Sequence, residues 1–272
     1  MGGTDLEIRN RIARNYDRRA QDFGGRSDDD FPQLGRFMNA RETLLDVGCG
    51  AGGSLRRFMQ HHGAASTAVG LDISPGMLRR AAKDDDLALN AGGVRWILGD
   101  AESLPFTSGF FDVVISVNSL SHLSSLDRAL RNQHRVLRRG GRLAMKFRGD
   151  LTLDRPVERA MRDALAQELS TDRLRPILDM YRPSSALGAR QSTVDVGFDD
   201  VEIFTSRRDW VSDPQELIQR FPEIAGYMLE PLTDGERERV LGKFRRNVLE
   251  ASGSDGLPDF GYSVTVLATK PS

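Results

Sequence analysis

Ten consecutive residues constrain this chain more than any other feature: an apolar run meets a carboxylate and then a cluster of glycines, Leu44-Leu45-Asp46-Val47-Gly48-Cys49-Gly50-Ala51-Gly52-Gly53. The apolar residues predict a buried strand, and the glycines predict a tight turn whose backbone a ligand can approach closely. Residues 54–59 then have the apolar spacing of a helix. A turn between a strand end and a helix start is typical of sites for nucleotide-like ligands.

The glycine spacing alone leaves two classes of enzyme open. Gly48, Gly50 and Gly53 satisfy the GxGxxG fingerprint of dinucleotide binding, and the acid Asp72 follows the next predicted strand. Asp46, however, precedes the first glycine by two residues, where it would repel a pyrophosphate but suit a ligand with a positively charged amino group. A nicotinamide oxidoreductase therefore stays as an alternative, opposed by Asp46.

Composition excludes several other classes. With 38 basic and 39 acidic residues the net charge is −1, which gives no support to bulk electrostatic binding of nucleic acid or of an anionic membrane. Cys49 is the only cysteine, so we expect no intrachain disulfide and no metal site, and we interpret it as a small residue that fills space in the turn. No segment has the pattern of a signal peptide or of a membrane span. We expect a cytoplasmic protein, either a monomer or a homodimer.

From residue 43 onward, short apolar strands alternate with helices. After the first strand come predicted strands at 67–71, 94–98, 111–117 and 142–147, with a helix before the last of them that stops at Gly140-Gly141. Such alternation predicts an α/β fold with a parallel sheet covered on both faces. Residues 150–195 lack a strong strand pattern and predict helices, and 201–205 and 262–269 restore the strand pattern.

Three acids end three successive predicted strands: Asp46, Asp72 and Asp100. In an open parallel sheet all three lie at the carboxyl edge, where ligands bind. Asp72 has the chemistry to accept both hydroxyls of a ribose, and Asp100, followed by Ala101, to accept from an exocyclic amine such as that of adenine. Each acid alone is explained equally well as a helix N-cap, but the three together with the glycine turn predict one shared site. Apolar faces for a purine ring would come from Ile73, Met77 and Leu104.

With these motifs the chain resembles the class I S-adenosylmethionine-dependent methyltransferases, in particular the small-molecule branch that includes enzymes of ubiquinone and menaquinone biosynthesis. The resemblance covers residues 40–147 densely and rests on Leu44-Leu45-Asp46-Val47-Gly48-Cys49-Gly50-Ala51-Gly52, Val69-Gly70-Leu71-Asp72-Ile73-Ser74-Pro75-Gly76-Met77-Leu78, Gly99-Asp100-Ala101-Glu102-Ser103-Leu104-Pro105-Phe106, Phe111-Asp112-Val113-Val114 and Val136-Leu137-Arg138-Arg139-Gly140-Gly141-Arg142-Leu143. Tyr16-Asp17 also resembles the tyrosine-bearing segment that closes over the cofactor in this branch.

The resemblance implies a doubly wound, Rossmann-like sheet of seven strands with the last strand antiparallel and a helical insert between strands 5 and 6. It also implies S-adenosylmethionine as cofactor, with S-adenosylhomocysteine as product. Within the implied site, Asp46 lies near the ammonium group and Asp72 binds the ribose. The full set of expected cofactor-binding residues is Tyr16, Asp46, Gly48, Cys49, Gly50, Asp72, Ile73, Met77, Asp100, Ala101 and Asn118.

We expect four segments: an N-terminal helical cap over 1–40, a cofactor-binding core over 41–149, a helical substrate-recognition insert over 150–197 and the remainder of the core over 198–272. The resemblance fades in the insert, and the identity of the substrate cannot be inherited from it. Candidates for an apolar pocket under the insert are Tyr181, Trp210, Phe221, Tyr227 and Met228, although aromatic residues at such spacing occur more often in ordinary cores.

Methyl transfer from a sulfonium is an in-line displacement, which depends mainly on positioning. A general base helps when the acceptor is a hydroxyl, and His122 is the histidine best placed to be one, just after the fourth predicted strand. Packing under the cofactor is the alternative for this residue.

The sequence therefore predicts a methyltransferase that acts by O-, N- or C-methylation on a small, partly apolar metabolite, in a biosynthetic pathway such as secondary metabolism. Two alternatives keep the same cofactor. One methylates RNA or protein, and the other has lost methyl transfer and serves as a cyclising or binding scaffold.

Overall fold

The computed structural model describes residues 3–20, 42–62, 67–84, 94–179 and 184–272. Residues 21–41, which complete the expected N-terminal cap, and Tyr181 lie outside these ranges. The helices are α1 (Gly3–Arg19), α2 (Gly53–His62), α3 (Pro75–Lys83), α4 (Leu126–Val136), α5 (Pro156–Ala166), α6 (Thr171–Leu178), α7 (Ala186–Val196), α8 (Pro214–Ile224), α9 (Gly226–Leu229) and α10 (Asp234–Ala251). Among these described helices, none combines the length and the apolar character that crossing a membrane requires.

The strands are β1 (Thr43–Val47), β2 (Thr67–Asp72), β3 (Val94–Leu98), β4 (Phe111–Val117), β5 (Leu137–Arg148), β6 (Asp199–Ser212) and β7 (Leu257–Thr269). They form one sheet in the order β3-β2-β1-β4-β5-β7-β6, and the pairs from β3 to β5 are parallel. Next to β5 the last strand runs antiparallel: Gly140 N–H donates to the Lys270 carbonyl at 2.9 Å, and Lys270 N–H donates to the Gly141 carbonyl at 2.8 Å. The predicted fold class is confirmed.

The chain divides into two compact units. The first consists of residues 1–147, 186–204 and 265–272, and the second of residues 148–185 and 205–264. In the first unit, fully buried Leu44, Leu55 and Phe58 belong to a cluster that joins the sheet to α2. The four segments expected from the sequence follow other boundaries, and those boundaries stay predictions.

In the second unit, α10 packs against α5 and α8. Its core contains buried Val157, Met161 and Val240, and the rings of Phe221 and Phe244 stack at a centroid distance of 5.6 Å. This unit therefore has an apolar interior of its own.

The start of β5 differs from the prediction. Helix α4 ends at Val136, and Leu137 already pairs with Phe111 of β4, so the strand begins five residues before the predicted position. The glycines do not terminate the helix. Gly140, at φ +65°, lies inside β5 at an irregularity of its register with β4, and its N–H is bonded to the final strand. Pairing with both neighbouring strands explains why the extended backbone starts so early.

Candidate functional site

The first unit contains a cavity of about 230 Å³ at the carboxyl ends of β1, β2, β3 and β4. Carboxyl ends of parallel strands are the usual position of ligand sites in sheets of this kind. Its walls come from the glycine turn after β1, from α1, and from the segments that follow β2, β3 and β4.

The glycine turn brings bare backbone to the cavity. Gly48, Gly50 and Gly52 have positive φ angles, a backbone conformation that residues other than glycine rarely adopt. A Cβ at Gly48 would lie 2.3 Å from the Cβ of Ser119, whereas a Cβ at Gly50 would meet nothing within 4 Å. Gly48 is therefore favoured both by packing and by its positive φ, whereas Gly50 is favoured by its positive φ alone.

Asp72, at the end of β2, holds the turn in place. Its carboxylate accepts the N–H of Gly50 at 2.8 Å and the N–H of Ser74 at 2.9 Å. Burial raises the pKa of Asp72, and these N–H donors oppose the rise. Each carboxylate oxygen has a second lone pair, so Asp72 can still accept hydrogen bonds from two hydroxyl groups in the cavity.

Asp46 is placed differently from the other acids. It lies in β1 between Gly70 and Ile115, is completely buried, and is absent from the cavity walls. Neither of its oxygens has a hydrogen-bond partner among the described residues. Burial, with a smaller contribution from Asp72, raises the pKa of Asp46 to about 8. The side chain is therefore mostly protonated at neutral pH.

Asp100, which follows β3, faces the cavity and has two partners. One oxygen accepts the N–H of Glu102 at 2.8 Å, and the other forms an ion pair with Arg9 of α1. Glu102 lies beside it and is itself buried. Its carboxylate accepts from the N–H and the hydroxyl of Ser124 at 2.8 and 2.7 Å. The loop after β3 is thus fixed by acids that accept backbone hydrogen bonds.

Helix α1 closes one side of the cavity through polar contacts at its C-terminal end. The Asp17 carboxylate accepts the Ser74 hydroxyl and the Gly76 N–H, both at 2.6 Å, at the N-terminus of α3. A carboxylate is favourable there because the first N–H groups of a helix lack partners within it. One residue earlier, Tyr16 lines the cavity and contacts His122.

His122 ends the short 3₁₀ turn after β4, Leu120–His122. Its Nε2 lies 3.0 Å from the Tyr16 hydroxyl, and the two rings meet edge to face with centroids 5.6 Å apart. Asn118, two residues before the turn, has φ +55°, and its N–H donates to the Lys146 carbonyl at 2.7 Å. The cavity therefore has a tyrosine–histidine pair in its wall, close in sequence to a strained backbone position at Asn118.

The structure brings most of the predicted site residues together. The cavity is lined by Tyr16, Gly48, Cys49, Gly50, Asp72, Ile73, Met77, Asp100, Ala101, Asn118 and His122. Two predicted residues do not line it: Asp46, and Leu104, which was expected beside the purine ring and is buried elsewhere. Among the described residues, no group of acids, histidines and cysteines has the arrangement of a metal site.

Sequence reasoning missed Arg9, Ile12, Glu102 and Ser119, which also line the cavity. Glu102 follows Asp100 and Ala101 in a stretch that the resemblance already covered, which was a usable signal. Ile12 belongs to the apolar pattern of α1. For Arg9 we find no signal, because arginine is common along the whole helix.

Comparison with known proteins identifies the family. A family profile described as "Methyltransferase domain" matches residues 45–145. The malonyl-[acyl-carrier protein] O-methyltransferase of Geobacter sulfurreducens is 30% identical over 220 residues, which cover 79% of each chain. The chain therefore belongs to the S-adenosylmethionine-dependent methyltransferases, and S-adenosylmethionine is its cofactor. Its resemblance to the class I small-molecule branch is confirmed.

Other relatives match over a shorter part of this chain. O-methyltransferase resE of Aspergillus sclerotiorum is 37% identical over 43% of this chain and 42% of its own length. The ubiquinone/menaquinone biosynthesis C-methyltransferase UbiE of Roseobacter denitrificans is 36% identical over 38% of this chain and 41% of its own. The chain thus spans less than half the length of these two relatives.

A solved structure extends the similarity of fold. The [4+2]-cyclase SpnF superposes with a TM-score of 0.52 at 22% identity, covering 88% of this chain and 79% of that one. This likeness concerns the fold alone.

The cavity fits the cofactor of the family. Open space beside Gly50 admits a ligand against the backbone, and Asp72 and Asp100 present carboxylates on the same cavity. Apolar Ile73 and Met77 lie between the two acids in the sequence and also line it.

Proposed function

We propose that this protein transfers the methyl group of S-adenosylmethionine to an O, N or C atom of a small, partly apolar metabolite in a biosynthetic pathway. The observation that carries the proposal is the cavity in which the glycine turn and the acids that follow β2 and β3 converge. Family membership supplies the reaction, and the cavity supplies the residues.

Each end of the cofactor has a matching part of the cavity. In this proposal Asp72 accepts the ribose hydroxyls, and Asp100 with Ala101 holds the adenine, with Ile73 and Met77 against its faces. The backbone at Gly48, Gly50 and Asn118 borders the methionine portion, and Cys49 fills space beneath it. Asp46 is buried and does not reach the cavity, so it has no direct contact with the cofactor in this proposal.

When bound, the cofactor supplies an electrophilic methyl group. The chain must then exclude water and hold the acceptor in line with that methyl group, and positioning of this kind is worth ~7–11 kcal/mol. Helix α1 contributes to the exclusion of water because Tyr16 and buried Ile12 line the cavity.

We further propose that His122 takes the proton from a hydroxyl acceptor. The Tyr16 hydroxyl lies 3.0 Å from His122 Nε2 and can donate one hydrogen bond while accepting another. An acceptor hydroxyl bonded to the Tyr16 oxygen is thereby connected to the imidazole. Its proton passes to the Tyr16 oxygen while the phenol proton moves to Nε2.

The proposal of a small-molecule acceptor rests on charge. Residues 150–190 contain equal numbers of acidic and basic side chains, and the net charge of the chain is −1. Methylation of RNA would favour a strongly basic surface. Loss of methyl transfer, with retention of a binding or cyclising role, is the outcome that a transfer assay must distinguish.

Cofactor binding is tested by calorimetric titration of S-adenosylmethionine, S-adenosylhomocysteine and NADH into the wild type and Asp72→Asn. We expect the two adenosyl sulfur compounds to bind and NADH not to bind. The variant should lose ~1.5–3 kcal/mol of binding free energy per charge-assisted hydrogen bond removed. The exposed acid Asp127 in the first turn of α4 provides the matched control, Asp127→Asn, which should bind like the wild type. Unchanged affinity of folded Asp72→Asn would refute the ribose assignment.

Transfer is tested with methyl-labelled cofactor against panels of small hydroxyl, amine and carbon acceptors, with RNA and protein in parallel. His122→Gln and Tyr16→Phe should each slow transfer to a hydroxyl acceptor by ~10²–10⁴-fold. His122→Gln should leave the affinity for S-adenosylhomocysteine close to that of the wild type. Cofactor binding without transfer to any panel would favour the binding or cyclising scaffold.

A further inference from the structure

The second unit has a cavity of its own, of about 410 Å³, which the proposed methyl transfer does not use. It is bordered by the end of β6, by the face of α8, and by Arg148 and Arg155. Its walls combine apolar side chains with guanidinium groups. Such a combination suits a ligand that is itself partly apolar and partly charged.

The apolar wall is unusually open to solvent. Trp210, Val211 and Ile224 line the cavity and are 39, 56 and 40% exposed, respectively. Large apolar side chains that are exposed together mark a binding surface more often than isolated ones do. A ligand that covered these three residues would remove apolar surface from water.

The indole of Trp210 is held in position before any ligand arrives. Its Nε1–H donates to the Ser212 hydroxyl at 2.8 Å, and the guanidinium of Arg155 lies 5.7 Å from the ring centroid. A Cβ at Gly261 would lie 3.1 Å from the ring, so glycine at this position leaves room for it. The wall is therefore preformed, which lowers the entropic cost of binding.

Two of the three arginines that line the cavity already have acidic partners. Arg155 makes a two-pronged ion pair with buried Asp259, at 2.9 Å from Nε and 2.6 Å from Nη2. Arg220 donates to Glu216, one helical turn earlier, at 2.7 Å. Their charges are thus largely compensated within the unit.

Arg148 is different. Among the described residues it has neither an ion pair nor a side-chain hydrogen bond, and it is exposed at the cavity. Burial raises the pKa of Glu158, and the positive charge of Arg148 partly opposes this rise. The two side chains nevertheless form no ion pair. One guanidinium thus remains available to a ligand. Asp213, another acid on the wall, is committed as the N-cap of α8, where it accepts the Gln215 N–H at 2.7 Å.

We propose that this cavity binds an amphipathic carboxylate, whose charged group pairs with Arg148 while its apolar body covers Trp210, Val211 and Ile224. A single available guanidinium matches a single negative charge, and its fork matches the two oxygens of a carboxylate. This proposal goes beyond the proposed function: it stands whether or not the carboxylate is the methyl acceptor.

The test uses three probes of one shape: 4-phenylbutyrate, 4-phenylbutanol and 4-phenylbutylammonium, titrated calorimetrically into the whole chain at constant pH and salt. The acid should bind at least about tenfold more tightly than the alcohol, equivalent to about 1.4 kcal/mol. The ammonium compound should bind more weakly than the alcohol.

The variant Arg148→Met, which keeps an apolar stem, should bind the acid no better than the alcohol. Its matched control is Arg246→Met, an exposed arginine of α10 in the same unit that does not line the cavity, and it should bind all three probes like the wild type. Affinity for S-adenosylhomocysteine should be unchanged in both variants, which separates this proposal from the proposed function.

The proposal would be overturned by equal affinity of the acid and the alcohol, by an unaltered preference for the acid in Arg148→Met, or by no binding of any probe at millimolar concentration. A preference for the acid that Arg246→Met also abolished would mean that general surface charge, not the cavity, selects the anion.

Discussion

Replacing Asp46 with asparagine should leave the stability almost unchanged below about pH 4 and should make the protein increasingly more stable than the wild type as the pH rises to 8. Asparagine has nearly the shape of protonated aspartic acid and cannot ionise. The wild-type side chain is completely buried without a hydrogen-bond partner among the described residues, and its pKa is raised to about 8.

The sign and size of the effect follow from proton linkage. The pKa of Asp46 is higher in the folded state than the ordinary value near 4, so the folded protein holds a proton that the unfolded chain releases. The associated stability is fully present below about pH 4 and is lost as the pH rises through the folded-state pKa. At ~1.4 kcal/mol per pH unit, the wild type should lose ~4 kcal/mol between pH 5 and pH 8 through this group alone.

The measurement is guanidinium unfolding of the cofactor-free protein at pH 5, 6, 7 and 8, for the wild type and Asp46→Asn. Other groups, including Asp72 with its own raised pKa, contribute to both curves, so the informative quantity is the difference between the two proteins. That difference should grow by several kcal/mol in favour of the variant as the pH rises. Parallel curves would refute the argument, since they would mean that Asp46 is equally ionised in the folded and unfolded states.

The remaining predictions concern the glycine turn and the second unit. Gly48→Ala should destabilise the protein by ~1–3 kcal/mol, because its new Cβ would lie 2.3 Å from the Cβ of Ser119. Gly50→Ala should be less destabilising in the same denaturation assay, since nothing lies within 4 Å of its Cβ, yet calorimetry should show weaker cofactor binding. Asp259→Asn should cost ~3–5 kcal/mol of unfolding free energy, because it leaves the buried guanidinium of Arg155 without its carboxylate.

For each of these predictions, a specific result would contradict the stated physical reason. Equal destabilisation by the two alanine variants would show that the positive φ angle, not the neighbouring side chain, dominates at Gly48. For the buried ion pair, Arg159→Met serves as the control, because its pair with Asp154 is more than half exposed on both sides. That control should cost less than ~1 kcal/mol, and an equal loss in both variants would contradict the role of burial.

The central part of the sheet was predictable because local and long-range signals agree there. The strands that end at Val47 and Leu98, and the proline that opens α3, follow from apolar runs and turn residues. The start of β5 was not predictable, because pairing with β4 and β7 extends the strand through residues whose local pattern favours the end of a helix.

The candidate site was likewise predictable in part. The acids Asp72 and Asp100 were found because each ends a strand, and strand ends in a parallel sheet share one edge. Asp46 lies one residue before the end of β1, in the middle of the sheet between β2 and β4, and its buried side chain does not reach the cavity. Which way a side chain points at a strand end depends on the register of its neighbours. Arg9 was missed because its partner lies 91 residues away.

The single thiol of the chain, Cys49, provides a chemical probe of the cofactor cavity. Cys49 lines the cavity at 6% exposure, and burial raises its pKa well above the ordinary value. Thiols react as thiolates, so a maleimide or disulfide reagent should modify this buried thiol slowly. Because the sequence has no other cysteine, the rate of labelling reports the accessibility of this one cavity. The rate at which a thiol reagent modifies Cys49 is therefore a built-in probe of the cavity, and a bound ligand should lower that rate.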